Sequence, residues 1–313
     1  MGKLNNYDSI EEKIKKFSYK KIKTANEFNN WYKSEKNNFL GDHFIYRGVN
    51  EAKYKLYTSS QRLWWTIDFV RYPDKIESMN KWDEYSDFLN LLLINARKWN
   101  DKLLERYYKK LNIKLNDFAL LSLMQHYDLP TPLLDFTTDQ DIALYFAFSN
   151  MIQKPKEPEI DNYVSLYIIN LNKNRDRLSN LYDVYKEHNN LNFKTLYDFR
   201  KMFFFSEFNE TDTSLQDFKL KTYTHSNLNI LNQKGAFLFN HHPWLPLDMS
   251  NEPLSHYPRL KEIMCIDIHK SIKEFVLLKL KEKKAYINKD YLFPSYNDFK
   301  EKTLTKTLQE FTL

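Results

Sequence analysis

From Leu121 to Phe148 the chain reads LSLMQHYDLPTPLLDFTTDQDIALYFAF, which sets polar, chemically capable side chains between two apolar helical runs. That pattern fixes an order of elements. Gln125 and His126 close the first apolar run, Pro130 and Pro132 set the turn, and Leu133-Leu134-Asp135 has the form of a short buried strand ending in a carboxylate. A carboxylate so placed needs partners, because an unpaired charge is strongly disfavoured away from water. The spacing Thr138-x-x-Asp141 then marks a helix start, where hydroxyl and carboxylate can satisfy free backbone N–H groups of the first turn.

The rest of the chain falls into helices of varied length and short strands. Ile10, Ile14, Phe17, Phe28 and Trp31 have helical spacing, so residues 1–40 are expected to form an N-terminal helical cap. His43 to Gly48 (HFIYRG) is expected to be a strand carrying Arg47 near its end, followed by a short strand or turn over Lys53–Ser60. Trp82, Tyr85, Leu89, Leu92, Leu93 and Ala96 recur at steps of three and four, and residues 61–127 are expected to be mostly helical. After a polar loop at 154–162, strands are expected at Tyr163–Asn170, Ala236–Asn240 and Ile263–Ile268, with helices around 176–205 and over Ser271–Lys283. Irregular alternation of this kind fits an α+β fold: a small mixed or split β-sheet core with inserted helices. The main domain is expected to span 41–300, with a tail at 301–313.

Composition removes several classes of function. Only four glycines occur in 313 residues, against about 22 at average usage of roughly 7%. There is no glycine loop ending in Lys-Ser/Thr, no paired-glycine dinucleotide fingerprint, no HExxH and no serine nucleophile elbow. The net charge of +6 is mildly basic, and the densest cluster, Lys279, Lys281, Lys283 and Lys284 interleaved with Glu282, has the form of a solvated helix end. One cysteine, Cys265, excludes an internal disulfide, and its apolar setting suits a buried small hydrophobe. With no apolar run long enough to span a membrane and no secretory signal at the start, a cytoplasmic location without membrane partners is expected. His241-His242 has no companion ligands at a useful spacing, so no metal is expected.

Tyr46-Arg47-Gly48, followed at a distance by the QHYDLPTPLLDFT block of 125–137 and the ALYFA helix of 143–147, resembles the FRG domain family. Gln233 to Phe237 (QKGAF) and Leu292-Phe-Pro294 extend the resemblance to roughly residues 40–300. The chain departs from the family pattern at Asp128, Pro132 and Phe136, where glycine, arginine and tryptophan are common. At a deeper level the order of pieces is similar to arginine-type ADP-ribosyltransferases. In that group a strand arginine holds the dinucleotide phosphate, a hydroxyl motif supports the site, and a late glutamate stabilises the positive transition state. The corresponding pieces here are Arg47, Asp135-Phe-Thr-Thr138, the 143–147 helix and the Gln233–Phe237 strand, with Gln233 where the glutamate would stand.

These patterns define the expected site. Arg47 offers a rigid fork to phosphate, or a salt bridge to Asp135, and Gly48 allows close backbone approach. His126, with an unperturbed pKa near 6.5, Asp135 and Gln233 are the catalytic candidates. Arg47, Gly48, Gln125, Thr137, Thr138 and Gly235 are the ligand-binding candidates. The resemblance implies a nucleotide-like anion as ligand and NAD as a substrate of transferase or glycohydrolase chemistry, with a protein or nucleic-acid acceptor, in a toxin or anti-phage effector. The alternative is a non-catalytic module that binds a nucleotide signal or nucleic acid.

Overall fold

The computed structural model describes residues 5–38, 44–71, 80–98, 106, 109, 117–126, 128–151, 157–174, 178–180, 202–205, 232–240, 242–249 and 260–293. Its centre is an eight-stranded mixed sheet in the order β1-β8-β4-β2-β3-β7-β6-β5. The strands are β1 (Ser18–Ile22), β2 (Phe44–Val49), β3 (Leu133–Thr137), β4 (Tyr163–Asn170), β5 (Leu178–Asn180), β6 (Met202–Phe205), β7 (Gly235–Phe239) and β8 (Met264–His269). The two outermost pairs, β1 with β8 and β5 with β6, are parallel, and the inner pairs are antiparallel. Helices are interspersed irregularly among these strands, which makes the fold α+β.

The helices are α1 (Ile10–Lys16), α2 (Ala25–Asn38), α3 (Ser59–Arg71), α4 (Asn80–Lys98), α5 (Asp117–His126), α6 (Gln140–Ser149), α7 (Lys273–Lys283) and the single turn α8 (Lys289–Leu292). Most expected elements are present, with two differences. Residues 18–22 form a sheet strand against β8, so the first forty residues contribute more than helices. Of the strand or turn expected over Lys53–Ser60, a turn is present at its start, where Tyr54 N donates to the Glu51 carbonyl at 3.1 Å, and the segment runs directly into α3. Leu178–Asn180 and Met202–Phe205 are strands, where helix was expected. The intervening helical expectation and the 301–313 tail lie outside the described residues.

Alternation along the strands distributes their side chains over two faces. Ile45, Leu134, Phe136, Tyr167 and Leu238 meet Tyr7, Ile10 and Phe17 on one face. On the other, Tyr46, Val164, Leu166 and Ile266 pack with α2, α6 and α7, while Leu133, Phe237 and Phe239 pack with α3, α4 and α5. Strand β4 is buried over all but its last residue, which explains why its sequence is nearly continuously apolar.

The sheet has a seam in its middle. Strands β3 and β7 share a five-residue register and β2 and β4 a six-residue one, whereas β2 and β3 pair only at Tyr46 and Thr137. Helix α6 holds β2 from above. A Cβ on Gly48 would lie 1.8 Å from the Ala143 carbonyl oxygen and 2.8 Å from the Ala147 nitrogen, so this strand position admits no side chain. The small Ala143 and Ala147, both fully buried, complete the close contact.

Candidate ligand-binding cleft

Arg47 and Asp135 come together where β2 and β3 part. Arg47 shares a face with Ile45 by alternation, and its guanidinium Nη1 donates to the Asp135 main-chain oxygen in the gap. The same Nη1 lies 3.9 Å from Asp135 Oδ2, an ion pair without direct hydrogen bonding. Main-chain carbonyl and carboxylate of one residue thus anchor a single guanidinium nitrogen.

Elsewhere on the Arg47 fork, Nε is buried with no hydrogen-bond partner among the described residues, although the side chain as a whole retains 24% exposure. The Nε–Nη2 edge is the side that grips phosphate or carboxylate in two parallel bonds. Burial pulls the Arg47 pKa below its ordinary value while Asp135 acts the other way. A guanidinium starts so high that the group stays charged.

Asp135 is held from the opposite direction by α5. Gln125 Nε2 donates to Asp135 Oδ2 at 2.8 Å, and Gln125 Oε1 accepts from the Thr131 hydroxyl. Burial among protein atoms pushes the Asp135 pKa upward, with Arg47 and Gln125 countering it. Yet the side chain is 55% exposed, and water at that exposure offsets much of the desolvation. Asp135 thus meets water on one side and Gln125 and Arg47 on the other.

The remaining expected residues group at the other end of β3. Thr137 Oγ1 donates to the Gln233 main-chain oxygen at 2.7 Å and accepts from Asp139 N at 3.0 Å. Thr138 N donates to the Lys234 carbonyl, and Gly235 pairs with Thr137 in the sheet. Gln233 Nε2 donates to the Leu292 main-chain oxygen at 2.9 Å, tying this wall to α8. Gly48 faces α6. His126 ends α5, but its side chain lies outside the described residues, as does His241.

Helix α6 is capped by Asp139, whose carboxylate accepts from Asp141 N at 3.0 Å. The expected Thr138–Asp141 capping pair is displaced by one residue, because Asp139 takes the extended conformation that an N-cap requires. Asp139 and Asp141 also anchor a lysine cluster. Lys234 and Lys284 reach Asp139 at 2.8 and 2.6 Å, and Lys283 and Lys284 reach Asp141 at 2.7 and 3.0 Å. Tyr32 donates to Asp141 at 2.6 Å. Two lysines expected to be solvated thus neutralise buried carboxylates. The visible hint was Asp139 just before an apolar helix, but nothing local linked it to residues 145 positions away.

His242 is occupied as well, its Nδ1 accepting from Trp244 N and Leu245 N at 3.2 and 2.9 Å. Cys265 is fully buried, and its thiol is pushed up first by burial and then by Asp267, so it stays protonated. Among the described residues no group of histidine, cysteine or carboxylate side chains has the arrangement of a metal site. Among them, too, no helix is long and apolar enough to cross a membrane.

No curated protein and no solved structure matches the chain. The family model of the FRG domain matches residues 42–156, a span that includes Arg47, Gly48, Gln125, His126, Asp135, Thr137 and Thr138, while Gln233 and Gly235 lie beyond it. The segment that runs from β2 through α6 and builds both sides of the seam is therefore an FRG domain.

Proposed function

We propose that this protein binds a nucleotide-like anion in the seam between β2 and β3. The observation that carries the reading is Arg47 Nε, buried and without a hydrogen-bond partner among the described residues, on a side chain that keeps 24% exposure. A buried unsatisfied donor is costly, and an anionic oxygen relieves that cost while gaining a charge-assisted pair. Asp135 stands beside it with an exposed carboxylate that Gln125 orients. Such a pair discriminates in favour of a ligand with both acceptor and donor groups.

A second reading adds chemistry. If NAD is the ligand, Arg47 holds a phosphate and Asp135 is the carboxylate available where positive charge develops at the ribosyl carbon. What favours Asp135 over Gln233 in this role is position: Gln233 lacks a negative charge, and its amide is committed to the Leu292 carbonyl. His126 would serve as the proton carrier for the departing group. In this reading the protein is an NAD-consuming transferase or glycohydrolase, with a protein or nucleic-acid acceptor and a role as a toxin or anti-phage effector. Without turnover it is a nucleotide-signal binding module of the cytoplasm.

Calorimetric titration of the purified protein with ADP-ribose, beside an assay of nicotinamide release from NAD, tests both readings. Binding of ADP-ribose that is lost in Arg47→Lys, at unchanged thermal stability, is the expected result. Lysine keeps the charge but loses the planar fork. Equal affinity in parent and variant would sink the cleft, and background NAD turnover alongside tight ADP-ribose binding would leave the binding module.

A further inference from the structure

Thr131, within the turn between α5 and β3, is fully buried, yet all of its polar atoms are committed. Its main-chain N–H donates to Ser59 Oγ at 3.0 Å, and its carbonyl accepts from Ser60 N at 3.1 Å, which fastens the turn to the start of α3. Its hydroxyl accepts from Leu133 N at 3.3 Å and gives its own proton to Gln125 Oε1. An amide whose oxygen is engaged by a donor must present its nitrogen on the other side. Gln125 does so, and Nε2 meets Asp135 Oδ2 at 2.8 Å. A flipped amide would set its oxygen against the carboxylate, so the relay runs in one direction from Leu133 N–H to Asp135.

Its terminus is the Asp135 carboxylate. Oδ2 of Asp135 takes Gln125 and faces Arg47, whereas no side chain among the described residues bonds Oδ1, and the side chain is 55% exposed. Nε of Arg47 is a donor without an acceptor among the described residues; Oδ1 of Asp135 is an acceptor without a side-chain donor among them. A ligand that satisfies both must carry anionic oxygens and a hydroxyl a few atoms apart, as a sugar phosphate does.

We infer that Thr131 is a positioning residue of the cleft: through Gln125 it holds the Asp135 carboxylate so that Oδ1 accepts a hydroxyl of a phosphate-bearing sugar seated on Arg47. This rests on the nucleotide-anion reading above and narrows it. A bare inorganic anion fills only the Arg47 half of the site.

The test follows the Asp135 carboxyl by carbon-13 NMR titration of aspartate-labelled protein, assigned with Asp135→Asn, in parent, Thr131→Val, Thr131→Ser and Gln125→Met. ADP-ribose affinity is measured by calorimetry on the same proteins. Thr131→Val and Gln125→Met are expected to move the Asp135 midpoint upward, because a hydrogen bond favouring the charged form is lost. They are also expected to weaken ADP-ribose by roughly tenfold or more, the usual scale for a hydrogen bond to a charged group. Thr131→Ser keeps the hydroxyl and should match the parent in both measurements. A midpoint unmoved in Thr131→Val and Gln125→Met overturns the relay, whatever the affinity does. A midpoint that moves while the parent protein does not bind ADP-ribose leaves Thr131 in its positioning role and overturns the ligand class, and with it the reading beneath. If Thr131→Val does not fold, Gln125→Met decides alone, since Gln125 is only half-buried at a helix end.

Discussion

Arg47 and Asp135 are 88 positions apart, and what joins them is a main-chain hydrogen bond more than a salt bridge. That distinction changes what mutation should do. A buried ion pair that loses one member costs about 3–5 kcal/mol, but with the Asp135 side chain 55% exposed and 3.9 Å from Arg47 the relevant case is a solvated pair, whose typical value is about 0–1 kcal/mol. Asp135→Asn is therefore expected to change stability by less than about 1 kcal/mol in urea unfolding while abolishing ligand affinity. A loss of several kcal/mol would show that the pair is desolvated. The sequence made Arg47 and Asp135 visible as charged groups at expected strand ends, although both strands run on for two residues past them. It could not show which atoms would meet, because the opening between β2 and β3 depends on pairings made by other strands.

At the scale of elements, α6 is fixed from two directions, by a missing side chain beneath and by charge at its N-terminus. Gly48→Ala places a methyl 1.8 Å from the Ala143 carbonyl oxygen, and a helix backbone cannot step aside as a flexible side chain would. The expected outcome exceeds the usual overpacking range of about 1–3 kcal/mol, seen as loss of soluble protein or a sharply lowered melting temperature; an Ala variant as stable as the parent would mean that α6 is free to move off β2. Asp139 gives a pH signature. Burial raises its pKa, but hydrogen bonds from Lys234 and Lys284 outweigh that, and the net shift is below the ordinary 3.8. A carboxylate with a lowered folded pKa contributes stability above its unfolded pKa, and the contribution disappears as pH falls through the folded value. Asp139→Asn keeps the capping oxygen and removes the charge, so it should cost roughly 1–3 kcal/mol at pH 7 and flatten the acid limb below about pH 4. Parallel acid limbs for parent and variant would remove Asp139 from that account. The helices and most strands were legible because periodicity is local. Strands β1, β5 and β6 were not: β1 (SYKKI) buries one residue of five and so shows no apolar alternation, and the three and four residues of β5 and β6 hold too little pattern to separate them from helix.

For the molecule as a whole, the N-terminal segment is locked to the sheet by a charge in the core. Lys13 of α1 is wholly buried and donates to Asp267 Oδ1 at 2.6 Å, Ser165 Oγ at 2.7 Å and the Ala52 carbonyl at 3.0 Å. Burial pulls the lysine pKa down, but the Asp267 carboxylate in direct contact acts the other way and the net direction is upward, so the ammonium is kept. Lys13→Met should cost about 3–5 kcal/mol, because Asp267 is left as an uncompensated buried charge. The double variant Lys13→Met/Asp267→Leu should recover much of that loss in thermal unfolding; a double variant no better than the single would mean that Asp267 is satisfied by Ser165 and Tyr19 alone. No sequence pattern announced this pair, since a lysine at position 13 of an amphipathic helix ordinarily faces water.

The single residue pair joining β2 to β3 has a consequence for any molecule bound there. On one flank lie β1, β8, β4 and β2, and on the other β3, β7, β6 and β5, each laced by its own complete ladders. In the plane of the sheet, the Tyr46–Thr137 bridge and the Arg47 hold on the Asp135 carbonyl cross this line, while α6, which follows β3 and packs on Gly48 of β2, spans it from above. A molecule that bridges Arg47 and Asp135 would therefore act as a stitch, closing a line that the strands themselves leave almost unsewn.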